Sequence, residues 1–283
     1  MAVFDCTYVN HDSTSINLNG ADYALINPGP MGITHPMWRP KILATPRKIP
    51  VGIYQEHVAD QRRIVVPIHV IGTSQSDLDT NIRTLWDAIS LDCRDGELGT
   101  FTFTTANGTV RSIECVLEAG IDPGEWLLAG TADAAHARID LPLLCPDPTF
   151  YNATPVTPSG AFNGTTPVNI SCANAGDADA YATITITTDA DTDLDDLSIT
   201  DAYGRVLGFT GTMAVSKVLV LTLDPQTLDM DYDSGTDWFE KRTAVSRLIV
   251  VKHGTNNLTF VATNVDADAA IGISFCSRYS KHG

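Results

Sequence analysis

Apolar and polar positions alternate with a period of two along most of the chain. That is the spacing of strands that turn one face into a core. The strongest run is Arg63-Ile64-Val65-Val66-Pro67-Ile68-His69-Val70-Ile71, which predicts a strand over 62–71. Pro67 lacks an N–H, so it places that strand at a sheet edge or a bulge. One stretch changes period. Leu78, Ile82, Leu85, Trp86 and Ile89 recur at i, i+4, i+7, i+8 and i+11, an apolar stripe that predicts a helix over 77–89. Ser74 or Ser76 caps it, Asp77 and Asp79 suit the positive end of its dipole, and 91–96 closes it. Strand pattern then resumes over 100–105 and 110–118, on either side of the hairpin signal Asn107-Gly108, and over 125–129 and 137–145.

Two segments break the alternation. Residues 27–48 hold Pro28, Gly29, Pro30, Gly32, Pro36, Pro40 and Pro46, a density that forbids regular helix and suits a long loop or an extended arm. Residues 1–26 before it hold short alternating runs, such as 2–4 and 24–26, that read as one to three strands. Cys145-Pro146-Asp147-Pro148 and the polar, Pro- and Gly-rich stretch 152–167 mark a domain boundary. Beyond it, strands are predicted over 167–172, 180–188, 197–200, 206–209, 217–223, 228–232, 246–251, 257–262 and 271–279. Their spacing of about ten residues, with no helical stripe, is that of a sandwich or barrel. The chain is therefore read as mainly β. A β-barrel or sandwich-like domain with one helix occupies 1–148, and a β-sandwich occupies 149–283.

Composition sharpens this picture. The 283 residues are 43% hydrophobic, enough for two domains with their own cores. They carry 18 Lys+Arg against 34 Asp+Glu, a net charge of −16. Of the acids 28 are Asp and only 6 Glu, so charged helix formers are scarce. The negative balance excludes a general DNA-binding surface. No apolar stretch reaches the ~20 residues of a spanning helix, and 1–10 lacks the basic start and apolar core of a signal peptide. The six cysteines form no CxxC pair and read as buried free thiols.

Catalytic signatures are missing. There is no GxxxxGK[ST], GxSxG, HExxH or GxGxxG, and no two of the seven histidines sit at i, i+2 or i, i+4. No enzyme activity, cofactor or metal is expected. The run of Asp189, Asp191, Asp193, Asp195 and Asp196 offers carboxylates for a hard cation, but the Ca²⁺-loop pattern fails at Leu194 and Thr200. Asp229, Asp231 and Asp233 fail similarly, with Ser234 where glycine is needed. Both read as solvated turns, and His69 reads as a hydrogen-bonded structural residue.

A more informative feature is an acid-free window between Asp22 and Glu56. It carries Arg39, Lys41, Arg47 and Lys48 beside Met37 and Trp38. Aromatic, Met and Arg residues on a stiffened arm have the composition of an interface anchor, and a basic arm complements acidic copies of itself.

The succession Arg62-Arg63-Ile64-Val65-Val66-Pro67-Ile68-His69-Val70-Ile71-Gly72, the helix, Gly96-Glu97-Leu98-Gly99-Thr100, and the hairpin ending in Arg111-Ser112-Ile113-Glu114-Cys115 resembles the N-terminal domain of siphophage distal tail (Dit) proteins. The second half is similar to that family's C-terminal domain. The match lies in Leu219-Val220-Leu221-Thr222-Leu223-Asp224, in 248–260 with its turn at His253-Gly254, and in the last strand over 271–279. The family's usual Pro-Gly is replaced at that turn.

The resemblance implies a galectin-like C-terminal β-sandwich and a structural virion protein. Six copies would form a ring at the tip of a long non-contractile tail, joining the tail tube to the hub and adsorption apparatus. The implied partners are the tail tube protein and the tail hub or tail-associated protein, with tape-measure and receptor-binding proteins as further neighbours. DNA would pass through the bore without specific binding. The implied place is the virion tail tip, after synthesis in the host cytoplasm, with no membrane insertion. Met37, Trp38, Arg39 and Lys41 are then the expected oligomer interface. An alternative reading makes the sandwich a carbohydrate- or receptor-binding module, for which Trp238 is the expected sugar platform.

Overall fold

The computed structural model describes the chain outside residues 1–4, 27–28, 32–37, 44–52, 60, 106–107, 119–122, 128–134, 163, 190–192, 264–268 and 281–283, and only the backbone of 38–43, 53–59 and 123–127. It is mainly β, with one α-helix among the described residues. It divides into two compact units, Met1–Phe150 with Ser280–Gly283, and Tyr151–Tyr279.

The first unit contains β1 (Cys6–Val9), β2 (Ser15–Asn17), β3 (Tyr23–Leu25), β4 (Trp38–Leu43), β5 (Ile53–Ala59), β6 (Arg62–Gly72), α1 (Gln75–Asp95), β7 (Gly99–Thr104), β8 (Val110–Leu117), β9 (Pro123–Leu127) and β10 (Ala135–Cys145). Its antiparallel sheet runs β2-β1-β7-β8-β10-β6-β3, with β9 alongside β10. The β8–β10 ladder is short, with Leu117↔Leu143, Val116↔Leu144 and the Glu118 N–H on the Pro142 carbonyl at 2.8 Å, and the sheet is nearly closed and barrel-like. Alternate residues fill it: Ile64, Val66, Ile68 and Val70 from β6, Phe101 and Phe103 from β7, and Ile139, Leu141 and Leu143 from β10 are all 0% exposed. Each such side chain contributes about 1.5–3 kcal/mol of burial.

Pro67 is not on an edge strand, because β6 lies between β10 and β3. Its carbonyl accepts the Ile26 N–H at 2.9 Å, so its missing N–H faces the end of β3. The continuous ladder to β10 loses nothing. The helix is longer than its stripe predicts. Ser74 caps it by accepting the Asp77 N–H, and Gly96 ends it with φ 76°, a left-handed conformation that glycine adopts without cost. Leu78, Leu85 and Ile89 are buried against the sheet, but Trp86 is 40% exposed and lies outside the buried face.

A short β11 (Phe150–Tyr151) stands at the division between the units. The second unit then holds β12 (Ser159–Ala161), β13 (Val168–Asn174), β14 (Ala182–Thr187), β15 (Leu194–Thr200), β16 (Val206–Gly208), β17 (Thr212–Met213), β18 (Val218–Thr222), β19 (Asp229–Tyr232), β20 (Thr236–Asp237), β21 (Gly254–Thr263), β22 (Ala270–Phe275) and β23 (Arg278–Tyr279). Two antiparallel sheets, β12-β22-β14-β18-β19-β20 and β13-β21-β15-β16 with β17 on β15, form a sandwich. Ile184, Ile186, Leu219 and Leu221 of one and Ile199 and Phe260 of the other are among its fully buried residues.

The strand predicted over 246–251 does not form. Only Val251 bridges, to Ala180. The segment is held instead by the buried Asp201 carboxylate. It accepts the Val250 N–H at 3.1 Å, the Tyr203 and Arg205 N–H groups at 2.9 and 3.0 Å, and Arg205 Nε at 2.7 Å. Together with isolated backbone bonds at Arg247 and Val251, this side chain stands where a ladder was expected.

Candidate assembly interface

The acid-free window becomes half of a β-ribbon. β4 pairs antiparallel with β5: Trp38 stands opposite Ala59, Arg39 opposite Val58, Pro40 opposite His57 and Lys41 opposite Glu56. After a bulge, Ile42 and Leu43 face Tyr54 and Ile53. Among the described residues this pair joins no other sheet. A lone two-stranded ribbon is marginal in water and exposes two unpaired backbone edges, so it is suited to pack on a further surface. The chain enters this region from a fixed base, where Met31 and Val65 exchange both backbone hydrogen bonds at 2.8 and 3.0 Å. Trp38, Arg39 and Lys41 thus lie on one strand of the ribbon, while Met37 lies outside the described residues.

The helix end carries a buried polar cluster. Asp92 is 0% exposed. One carboxylate oxygen accepts the Tyr8 hydroxyl, and the other accepts the His11 N–H at 2.9 Å and meets His11 Nδ1 at 2.7 Å. His11 Nε2 lies 3.4 Å from Asp95 and 3.5 Å from Asp12. Hydrogen bonding to Asp92, with the nearby acids, raises the His11 pKa above its usual value. Burial and then the Asp92 bond push the Tyr8 hydroxyl pKa upward. When protonated, the histidine also places positive charge at the negative end of α1. The arrangement joins β1 and its following turn to the helix. Through Asp92, His11 clamps the turn after β1 to the end of α1.

Trp238 lies in the sandwich core. It is 4% exposed, stacked on Tyr232 with centroids 4.8 Å apart and tilted against Phe209 at 5.9 Å. An indole enclosed in this way has no open face for a sugar ring. The acidic runs bind backbone N–H groups: Asp231 closes a local turn on the Gly235 N–H, while Asp193 accepts the Val215 N–H and Asp196 the Gly211 N–H from a separate segment. Asp191 lies outside the described residues. Among the described residues, no group of three His, Cys, Asp or Glu is placed to hold a metal ion. All six cysteines are free. Four are buried, while Cys93 is exposed and Cys276 half-buried.

Comparison with solved structures decides what this architecture is like. The chain is similar to SPP1 Dit (gp 19.1), described as a paradigm of the hub adsorption apparatus in phages infecting Gram-positive bacteria. Identity is 17%, the match covers 98% of this chain and 99% of that one, and the TM-score is 0.66. The chain has the fold of SPP1 Dit. It is also similar to a chain of the phage p2 baseplate in its activated conformation, in structures with Sr and with Ca. There, identity is 11%, coverage 96% and 98%, and the TM-score 0.54. No family model matches the sequence, and no curated protein does.

Within this Dit fold, the arginine that opens the β6 motif has a physical role. Arg62 is 2% exposed, donates to the Ser280 carbonyl at 2.7 Å and lies 4.3 Å over the Phe150 ring. Burial lowers its pKa to about 10. Sequence reasoning missed β5 and the Asp92 cluster. The first has three successive polar residues, Gln55-Glu56-His57, which break the strand period. The second joins residues more than eighty positions apart, and no local spacing announces it.

Proposed function

We propose that this chain is a structural protein of the tip of a long, non-contractile phage tail. The observation that carries the reading is the fold match to SPP1 Dit over nearly the full length of both chains. In this reading six copies form a ring that joins the tail tube to the hub and adsorption apparatus. The 1–148 domain builds the ring and the 149–283 sandwich stands outside it. The protein acts by binding and not by catalysis, and it resides in the virion after synthesis in the host cytoplasm.

The ribbon is the proposed contact between neighbours. A ring repeats one heterologous contact, which needs two complementary surfaces on each copy. The window that contains β4 has no acid in a chain of charge −16, so it is a segment able to approach another acidic copy. The excess acid has a proposed second use in the bore, where it repels passing DNA. The test is mass in solution together with electron microscopy of the purified protein. The expected result is a ring of six times the 30.4 kDa subunit mass. A protein that stays monomeric both alone and with tail-tube and hub proteins overturns the reading.

A further inference from the structure

The sequence has a second acid-free window, from Lys241 to Val265, between Glu240 and Asp266. It holds Lys241, Arg242, Arg247 and Lys252, half of the eight cations in the second half of the chain. The structure gives these four a property that Arg205, Lys217 and Arg278 lack, while Lys281 lies outside the described residues. Lys217 pairs with Asp233, Arg205 with Asp201 at 2.7 Å, and Arg278 lies 3.7 Å from Asp224. Among the described residues, Lys241, Arg242, Arg247 and Lys252 have no carboxylate partner. Acids outnumber bases two to one in this half, and the nearby Asp179 and Asp237 are engaged elsewhere, by the Tyr203 hydroxyl and the Phe239 N–H.

The same segment exposes apolar side chains. Val245 is 77% exposed, the highest value among the large hydrophobic residues, and Phe239 is 36% exposed. The backbone holds them there. The segment runs along the outer edge of β16: Thr210 N–H donates to the Lys241 carbonyl, Thr243 N–H to the Gly208 carbonyl, and Arg247 N–H to the Val206 carbonyl, all at 2.8–2.9 Å. Between the last two anchors the chain bulges into a turn closed by Ser246 N–H to the Thr243 carbonyl at 3.0 Å. Ser246 Oγ pins this turn to β16, donating to the Gly208 carbonyl at 2.7 Å and accepting the Gly208 N–H at 3.0 Å. Val245 sits in this tethered turn. Arg242 packs 3.5 Å over the Phe239 ring on one side, and Arg247 follows on the other. Lys252 lies 4.9 Å over the Tyr203 ring, itself 49% exposed.

We propose that this basic, apolar edge of the sandwich docks an acidic protein surface. Unpaired cations around a small apolar centre match the anatomy of a protein interface, with a dry middle and a charged rim. A purely ionic polymer uses the cations and has no use for Val245. The surface belongs to the second unit and the ribbon to the first, and the inference does not depend on the ring.

The test uses the full chain with two probes, a labelled poly-L-glutamate peptide and inorganic polyphosphate of matched charge, followed by fluorescence anisotropy and competition. A protein of charge −16 has no reason to bind either one except through a local basic surface. The expected result is peptide binding that weakens with salt. It falls about tenfold or more in Lys241→Glu with Arg247→Glu, and severalfold in Val245→Ser. Arg83→Glu with Arg94→Glu makes the same charge change on α1 and is expected to leave binding unchanged. Three results overturn the proposal: binding to neither probe; equal loss in the α1 variant; or polyphosphate binding at least as tight as peptide binding and indifferent to Val245→Ser. The last result would assign the surface to a polyanion instead.

Discussion

Asp92 receives the Tyr8 hydroxyl across 84 positions of sequence, inside a site where neither side chain reaches solvent. This bond fixes the C-terminal turn of α1 to the first strand of the barrel. Tyr8→Phe keeps the ring and deletes the donor, leaving one buried carboxylate oxygen unsatisfied. The expected loss is about 1–3 kcal/mol in denaturant unfolding. The site is also closed sterically, since a Cβ at Gly99 would lie 2.3 Å from the Tyr8 hydroxyl and 2.4 Å from Asp92 Oδ2. Gly99→Ala is therefore expected to destabilise as well. Combined with Tyr8→Phe it should cost less than the sum of the two, because both act on one site. Strict additivity in a double-mutant cycle would contradict the shared site.

The other oxygen of Asp92 gives the clamp a pH dependence of defined sign. The folded-state pKa of His11 is raised, first by its hydrogen bond to Asp92 and then by Asp12, Asp92 and Asp95 as charges. A raised pKa favours the folded protein while the histidine is protonated. The contribution is fully present below the unfolded value near 6.5 and is lost as pH rises through the folded value. Comparing wild type with His11→Asn should show the largest stability difference below that value and a shrinking one at alkaline pH. A gap that widens with pH would reverse the assignment.

The barrel and sandwich were legible because their strands keep a strict period. Ile64, Val66, Ile68 and Val70 are all buried as the pattern requires, with half-buried Val65, His69 and Ile71 between and after them and only Pro67 breaking the alternation by being buried too. The helix was legible through Leu78, Leu85 and Ile89, but Trp86, counted in the same stripe, is exposed. Adjacent positions on a helix differ by about 100°, so Leu85 and Trp86 need not share one face. The segment 246–251 looks like a strand because Leu248, Ile249, Val250 and Val251 are apolar. Whether such a run joins a ladder depends on what lies beside it, here the Asp201 carboxylate. The window without acid was legible, but it read as a loop or extended arm; its proline density concealed β4, and Gln55, Glu56 and His57 concealed the partner strand.

Trp238 separates a packing role from a binding role. The ring is enclosed by Tyr232 and Phe209 in the same core as Met230 and Leu219. Trp238→Ala is expected to cost about 3–5 kcal/mol of stability, the range for removing a large buried aromatic. Trp238→Phe should cost less. If glycan binding by the protein disappeared in Trp238→Phe while the melting temperature stayed unchanged, the ring would have to be open to ligand, against its 4% exposure.

The ribbon gives the prediction closest to assembly. β4 and β5 pair only with each other among the described residues, so changes on them bear little on the barrel core. Trp38→Ala with Arg39→Ala should therefore leave the unfolding midpoint nearly unchanged and reduce the assembled fraction. Lys41→Glu places a like charge opposite Glu56 in the ladder, with a local cost of about 0.2–1 kcal/mol. It also removes a cation from the acid-free window, so it should weaken self-association more at low salt than at high salt. Light scattering across a salt series measures both effects. An oligomer unchanged by Trp38→Ala with Arg39→Ala at every salt concentration would remove the ribbon from the interface and leave the contact between copies to be sought elsewhere on the barrel.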